Sequence, residues 1–172
     1  MSDLNDKLLV KTFLLTRSEF VFRQLYRKHT LTLYRFVLSI TERNIQDTEE
    51  IVQETWMRAI NALPRFKWES GFRTWLMGIA VNCCREYKRK KQTMPERSID
   101  SFKTGDAVIG VENKIDLHKA ISVLPGGYRE ILLLHDLEGY KHHEISIILG
   151  ISEGTSKSQL FHARKALKEI LN

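Results

Sequence analysis

The sequence contains three prolines, nine glycines and two cysteines in 172 residues. So little proline and glycine leaves few enforced turns, and no run of strict apolar–polar alternation argues for a sheet. The cysteines, Cys83 and Cys84, are adjacent. Neighbours on one helix point in different directions and a vicinal disulfide would be strained, so no disulfide framework is expected, and no zinc-ligand spacing is present. No apolar run approaches the roughly 20 residues that cross a membrane. No N-terminal stretch joins a basic patch, an apolar segment and a cleavage site, so the expectation is a cytoplasmic protein without membrane insertion.

What is present fits a folded helical chain. Hydrophobic residues at 42% are enough to bury a core. The length suits one or two domains of roughly 150 residues or fewer. Lys and Arg total 27 against 21 Asp and Glu, a net charge of +6. That surplus suits an anionic partner, but many soluble proteins carry as much.

Apolar spacing is helical almost throughout. Phe22, Tyr26, His29, Leu33, Phe36 and Ile40 recur at intervals of three and four and share one face of a long helix. A second helix is expected from Asp47, with Asp47 as its cap and Glu50 closing a capping box. Val52, Trp56, Ala59 and Leu63 form its buried stripe, and Pro64 ends it. A third helix is expected from about Ser70-Gly71, with Phe72, Leu76, Ile79 and Cys83 inward, running into a basic tail from Arg85 to Lys91. From Gln92 to about Glu112 no period is sustained, which reads as a linker. Helical periodicity returns at Ile115, with breaks at Pro125-Gly126-Gly127, Gly139 and Gly150. The expected fold is all-α: two small helical domains, the first of three or four helices and the second a helix-turn-helix, joined by a flexible linker.

The sharpest local signal lies in residues 142–167. A short apolar helix precedes Gly150, which permits a left-handed turn. Ser152 caps the next helix, whose inner side carries Ser156, Leu160, Ala163, Leu167 and Ile170. Its other side shows Thr155, Ser158, Gln159, His162 and Lys165, flanked by Lys157 and Phe161. Hydroxyl, amide, cationic and aromatic groups of this kind can bond phosphates and base edges or touch a thymine methyl. The second helix of such a pair enters the major groove. An ordinary helical hairpin with a solvated face would look similar.

The N-terminal half has two faces of opposite chemistry. On the second helix, Asp47, Glu50, Glu54, Arg58 and Asn61 lie opposite the buried stripe, with Gln53 beside them. Acidic groups there complement the helix dipole; alternatively they dock a basic partner. On the third helix, Gly71, Trp75, Gly78, Asn82, Arg85 and Arg89 share a face, preceded by the loop Pro64-Arg65-Phe66-Lys67-Trp68. Aromatic and basic groups interleaved in this way suit single-stranded nucleic acid: Trp75 can stack a base, Asn82 can read one, and the Arg and Lys tail can hold phosphates. The plainer alternative makes Phe72 and Trp75 core and the basic tail a solvated helix end.

Taken in order, these strings resemble one family. Asp47-Thr48-Glu49-Glu50-Ile51-Val52-Gln53-Glu54-Thr55-Trp56 is similar to the D-x-E-D-L-V-Q-E-x-F string of extracytoplasmic-function RNA polymerase sigma factors. Phe72-Arg73-Thr74-Trp75-Leu76-Met77-Gly78-Ile79-Ala80-Val81-Asn82 resembles their F-x-x-W-L-x-x-I-A-x-N string. Leu137-Glu138-Gly139-Tyr140 and the segment from Ile148 to Ser158 resemble their C-terminal domain. The likeness runs from about residue 20 to the end, in the family's order and spacing.

The resemblance implies a region-two domain over residues 1–91, a linker over 92–113 and a region-four helix-turn-helix domain over 114–172. Asp47, Glu50, Gln53, Glu54 and Arg58 would bind core RNA polymerase on the β′ coiled coil; the β and β′ subunits are the implied protein partners. Phe66, Trp68, Phe72, Arg73, Trp75, Asn82, Arg85, Lys88 and Arg89 would melt and read a single-stranded minus-10 element, with one base flipped into a pocket of the loop. Thr155, Lys157, Ser158, Gln159, Phe161 and His162 would read a duplex minus-35 element, with Arg164 and Lys165 near the backbone. An anti-sigma protein is an implied further partner. Ser156 stands where Val is frequent in the family, Gln159 and His162 where Arg is common, and Pro125-Gly126-Gly127 where the family more often has Pro-x-x.

An enzyme is not expected. His142-His143-Glu144 invites a zinc reading, but the second histidine would fall at Ile147. No catalytic residue, metal or cofactor is assigned. The alternative to a sigma factor is a helix-turn-helix regulator acting without polymerase, which leaves both N-terminal faces unused. A protein-only interaction module leaves the basic tail unexplained.

Overall fold

The computed structural model describes residues 2–93 and 117–171. The expected linker, 92–113, therefore lies outside the described residues except for its first two, which are helical. Among the described residues there is no strand. No helix among them is long and apolar enough to cross a membrane.

The N-terminal half has four helices: α1 (Ser2–Thr16), α2 (Glu19–Ile40), α3 (Ile45–Ala62) and α4 (Phe72–Thr93). Helix α1 was not legible in the sequence. Its apolar residues fall on more than one side, with Val10 and Phe13 buried and Leu4, Leu8 and Leu15 exposed, so no single stripe marks it. It is fastened through its buried Asp6, which accepts from Lys28 Nζ at 2.6 Å and lies 3.0 Å from His29 Nε2. Helix α2 buries Leu25, His29, Leu33, Phe36, Val37 and Ile40. Phe22 and Tyr26 sit at the rim, their rings 5.6 and 5.1 Å from that of Trp56.

Helix α3 starts earlier than expected. Its cap is Asn44, whose side chain accepts from the Asp47 backbone N–H at 3.0 Å. Asn caps as well as Asp. Asp47 is instead a first-turn residue, where its charge complements the helix dipole. Val52, Trp56 and Ala59 are buried as expected, and the chain tightens into a 3₁₀ turn, Leu63–Arg65, at Pro64. Helix α4 buries residues on several sides, including Phe72, Leu76, Met77, Val81, Cys83 and Cys84, because α3 packs on one side of it and the C-terminal half on another.

The C-terminal half contains α5 (Leu117–Ser122), α6 (Gly126–Leu132), a π turn (Leu133–Leu137), α7 (His142–Leu149) and α8 (Glu153–Leu171). Gly150 closes α7 with φ of 68°, a left-handed conformation that glycine adopts without penalty. Ser152 Oγ accepts from Thr155 N at 3.0 Å and caps α8. Ser156, Leu160 and Ala163 are buried as expected. Ile170 departs from the expected inner side: it is 37% exposed, while its neighbour Leu171 is half-buried.

One apolar cluster crosses both halves. It joins Phe36, Met77 and Val81 to Ile131, Leu134, Tyr140 and Ile145. A smaller cluster of Leu124, Leu132 and Ala163 belongs to the C-terminal half alone. The two helical modules are thus closed onto each other through α4 and α7.

Candidate nucleic-acid interface

The loop after α3 brings its aromatics together. Phe66 stacks on Trp75 with centroids 4.5 Å apart and lies 4.6 Å from Trp68. Phe72 lies 5.6 Å from Trp75. Trp68 has φ of 61°, an uncommon conformation for a bulky residue, and its ring is held from outside by Lys7 Nζ at 5.7 Å. Phe66, Trp68 and Trp75 are half-buried and present ring surface. Phe72 corrects the expectation of a DNA contact. It is 1% exposed and belongs to the core, because it packs beside His29 beneath the other rings.

The expected nucleic-acid face of α4 is divided. One edge is covered by the C-terminal half. Arg73 lies 4.0 Å over the Tyr140 ring and donates to the Glu138 carbonyl. Thr74 Oγ1 donates to Glu144 Oε1 at 3.1 Å. Arg85 grips Glu130 at two points, 2.6 and 3.2 Å. Gly78 lets the Ile148 backbone approach, so that a Cβ at position 78 would sit 3.9 Å from it. Lys88 is half-buried, and burial with Arg129 nearby pulls its ammonium below the ordinary lysine value. The other edge is open, with Asn82 and Arg89 exposed and Trp75, Ile79 and Glu86 half-buried.

On α3, Glu50, Gln53 and Glu54 are exposed as the docking reading requires. Asp47 is half-buried and accepts from Lys91 Nζ at 3.1 Å. Arg58 turns toward α4. Its Nε donates to Glu54 at 2.6 Å, while Nη1 and Nη2 donate to the two oxygens of Glu86 at 2.9 and 2.8 Å. This fork holds the Glu86 carboxyl below the usual carboxylate range. Sequence reasoning did not single out Glu86; its place four residues after Asn82 was the available signal.

On α8, Lys157, Ser158, Phe161, His162 and Lys165 are exposed, with Thr155 and Gln159 half-buried beside them. Phe161 is 67% exposed, an unusual position for so apolar a ring. Arg164 Nε donates to Asp136 Oδ2 at 3.0 Å. Ser156 is buried, its hydroxyl 2.9 Å from His142 Nδ1. No cluster of three or more metal-ligating side chains occurs among the described residues. Burial pushes the Cys83 thiol up and that of Cys84 to about 12, so both are protonated thiols at neutral pH.

The described residues thus carry an acidic helix, an aromatic-basic loop and helix, and an exposed helix-turn-helix. The Sigma-70 region 2 family matches residues 25–93 and the Sigma-70, region 4 family matches residues 114–167. The chain is 33% identical over 156 residues to the ECF RNA polymerase sigma factor SigM of Bacillus subtilis, covering 87% of this chain and 94% of that protein. It is 30% identical over 149 residues to the ECF RNA polymerase sigma-E factor of Escherichia coli, covering 76% and 78%. Among solved structures, the sigma factor RpoE of Bartonella quintana, in complex with the anti-sigma factor NepR, matches with a TM-score of 0.72 at 28% identity, covering 87% of this chain and 96% of that one. The chain belongs to the extracytoplasmic-function RNA polymerase sigma factors, which are transcription initiation factors and not enzymes.

Proposed function

We propose that this sigma factor docks on core polymerase through the outer face of α3 and opens the minus-10 element with the loop after α3 and the free edge of α4. Residues 1–91 form the region-two domain, 92–113 the linker and 114–172 the region-four domain. Glu50, Gln53 and Glu54 are the docking residues that face solvent, with Asp47 and Arg58 setting the edges of that surface. The observation that carries the reading is the aromatic surface of Phe66, Trp68 and Trp75 at the start of α4, whose open edge further along carries exposed Asn82 and Arg89. Ring surface next to cationic groups holds unstacked bases, and a stacked base contributes about 1–3 kcal/mol. Thr155, Lys157, Ser158, Gln159, Phe161, His162 and Lys165 read the minus-35 duplex.

Use of both elements requires the modules to part. About 25 base pairs separate the two elements, roughly 85 Å at 3.4 Å per base pair. A compact chain of this length has a radius of gyration of about 16 Å. The closed form cannot touch both elements at once. Arg73, Arg85 and Lys88 become available to phosphates when the halves separate. By similarity to the RpoE complex, a partner that holds the closed form would act as an anti-sigma factor.

The test mixes purified protein with core polymerase. Co-elution, with core-dependent transcription from a promoter library, is the expected result. Duplex binding without co-elution would make the chain a helix-turn-helix regulator instead.

A further inference from the structure

The boundary between the two modules buries a carboxylate. Glu138 directly follows the π turn and is 7% exposed, with its side chain at 1%. Its backbone is engaged: the N–H donates to the Leu133 carbonyl at 3.0 Å, and its own carbonyl accepts from Arg73. The carboxyl is poorly served. Oε1 is buried with no hydrogen-bond partner among the described residues, and Oε2 lies 3.6 Å from Arg35 Nη2. That separation is too long for a hydrogen bond, and the Arg35 side chain is 56% exposed. A buried carboxylate oxygen without a donor costs free energy.

Charged and titratable groups face this carboxyl from three elements. Helix α2 brings Arg35. Helix α4 brings Arg73, whose guanidinium lies over the Tyr140 ring and donates to the Glu138 carbonyl instead of the carboxyl. The C-terminal half brings Tyr140, whose phenol burial keeps protonated, and beyond it Glu144, which accepts from Thr74 Oγ1 and the Lys141 N–H. Burial pushes the Glu138 carboxyl above the ordinary glutamate value, and the two arginines offset that in part. Both arginines belong to the N-terminal half, so this environment exists in the closed form. Parting the modules rehydrates the carboxylate, whereas a proton neutralises it in place.

We propose that Glu138 is a proton-operated latch: the closed form takes up a proton on its carboxyl, and loss of that proton favours parting of the modules. The inference rests on the reading that the modules part for promoter use, and it adds acidity as a signal that biases the step. The closed form binds the proton more tightly than the open one, so falling pH favours closure. The opening constant rises with pH from the ordinary glutamate value to that of the closed form, by at most about tenfold per pH unit, and is level outside that window. One contact across the same boundary works the other way. Arg43 donates to His118 Nε2 at 2.8 Å, and a proton on that nitrogen would remove the acceptor and favour opening in acid.

The test is single-molecule fluorescence transfer between labels on α2 and α8 of the full chain, from pH 5 to pH 8. It is run in the wild type and in a His118→Gln background that removes the opposing contact. The opening constant should rise on the order of tenfold across this range. Glu138→Gln keeps the shape without the charge and should hold the closed form, with a response flattened to within about twofold. Arg35→Gln, at an exposed position, removes a cation that favours the ionised carboxyl, so its opening constant should keep rising to a higher pH before it levels. Circular dichroism at each pH shows whether the variants keep their helices. A Glu138→Gln chain that follows the wild-type response overturns the inference alone. So does a chain with no response in the His118→Gln background, or an Arg35→Gln curve that levels where the wild type does. Adding core polymerase and promoter DNA tests the reading beneath it: transfer that stays high in that complex overturns the parting of the modules itself.

Discussion

Arg85 of α4 and Glu130 of α6 form a two-point ion pair, at 2.6 and 3.2 Å, across the boundary between the two helical modules. The guanidinium that would hold promoter phosphate is thus occupied by a carboxylate of the same chain. Glu130→Lys should loosen this contact and expand the protein. Small-angle scattering of the variant should give a larger radius of gyration than the wild type, and a smaller salt response. Because Arg85 is partly exposed, the pair itself contributes about 0–1 kcal/mol. An unchanged radius would place the closure in the apolar contacts alone.

Gly78 tests those apolar contacts. A Cβ there meets the Ile148 backbone at 3.9 Å, an ordinary contact, so Gly78→Ala should fit. It should raise helix stability by up to about 1 kcal/mol, read by thermal melting. Gly78→Trp cannot fit between α4 and α7 and should part the modules without unfolding either one. Fluorescence transfer between labels on α2 and α8 would report the separation.

Trp75→Ala should impair promoter opening while core binding persists. Trp75 stacks on Phe66 at 4.5 Å, so a modest stability loss of about 0.5–1.5 kcal/mol is expected as well. Permanganate reactivity of minus-10 thymines and co-elution with core polymerase give the two readouts. Equal loss of both would make Trp75 a packing residue.

Glu54→Lys should weaken core binding with little effect on the fold. Glu54 is exposed and accepts from Arg58 Nε, an i,i+4 pair that contributes about 0.3–0.5 kcal/mol. Co-elution should fall while the helical circular dichroism melt shifts little. Collapse of the melt would mean that the α3 face is not free.

Acid should lower the stability of the folded chain. His29 is buried, and burial holds its imidazole below the ordinary value in spite of the bond to Asp6; Lys28 and Arg73 act in the same direction as burial. The folded state therefore disfavours the protonated form. The unfolded chain binds the proton first as pH falls through about 6.5, so the stability from neutral His29 is complete above that pH and declines below it. Melting from pH 8 to 5 should show this loss, and His29→Gln should flatten the part of the slope that belongs to His29.

The sequence read well where one side of a helix carried the signal. The stripes of α2 and α3, the Gly150 turn and the Ser152 cap all rest on contacts within a few residues, and the structure contains them. The cap of α3 was misplaced by three residues because Asn44 and Asp47 are both competent caps, and only the chain's path chooses between them. Helix α1 was invisible because its apolar residues are split, with Val10 and Phe13 in the core and Leu4, Leu8 and Leu15 in solvent. Its anchor is the buried Asp6, which the sequence could not pair with a histidine 23 residues away.

Residue pattern by itself determined an all-α chain with an acidic face, an aromatic-basic face and a helix-turn-helix, because helical period and side-chain chemistry are local properties. Tertiary structure decided which of those faces is free. Phe72 went to the core, Arg73 and Arg85 went to the opposite module, and Arg58 turned to Glu86. Each outcome depends on which distant element packs against α4, and spacing along a chain does not encode that.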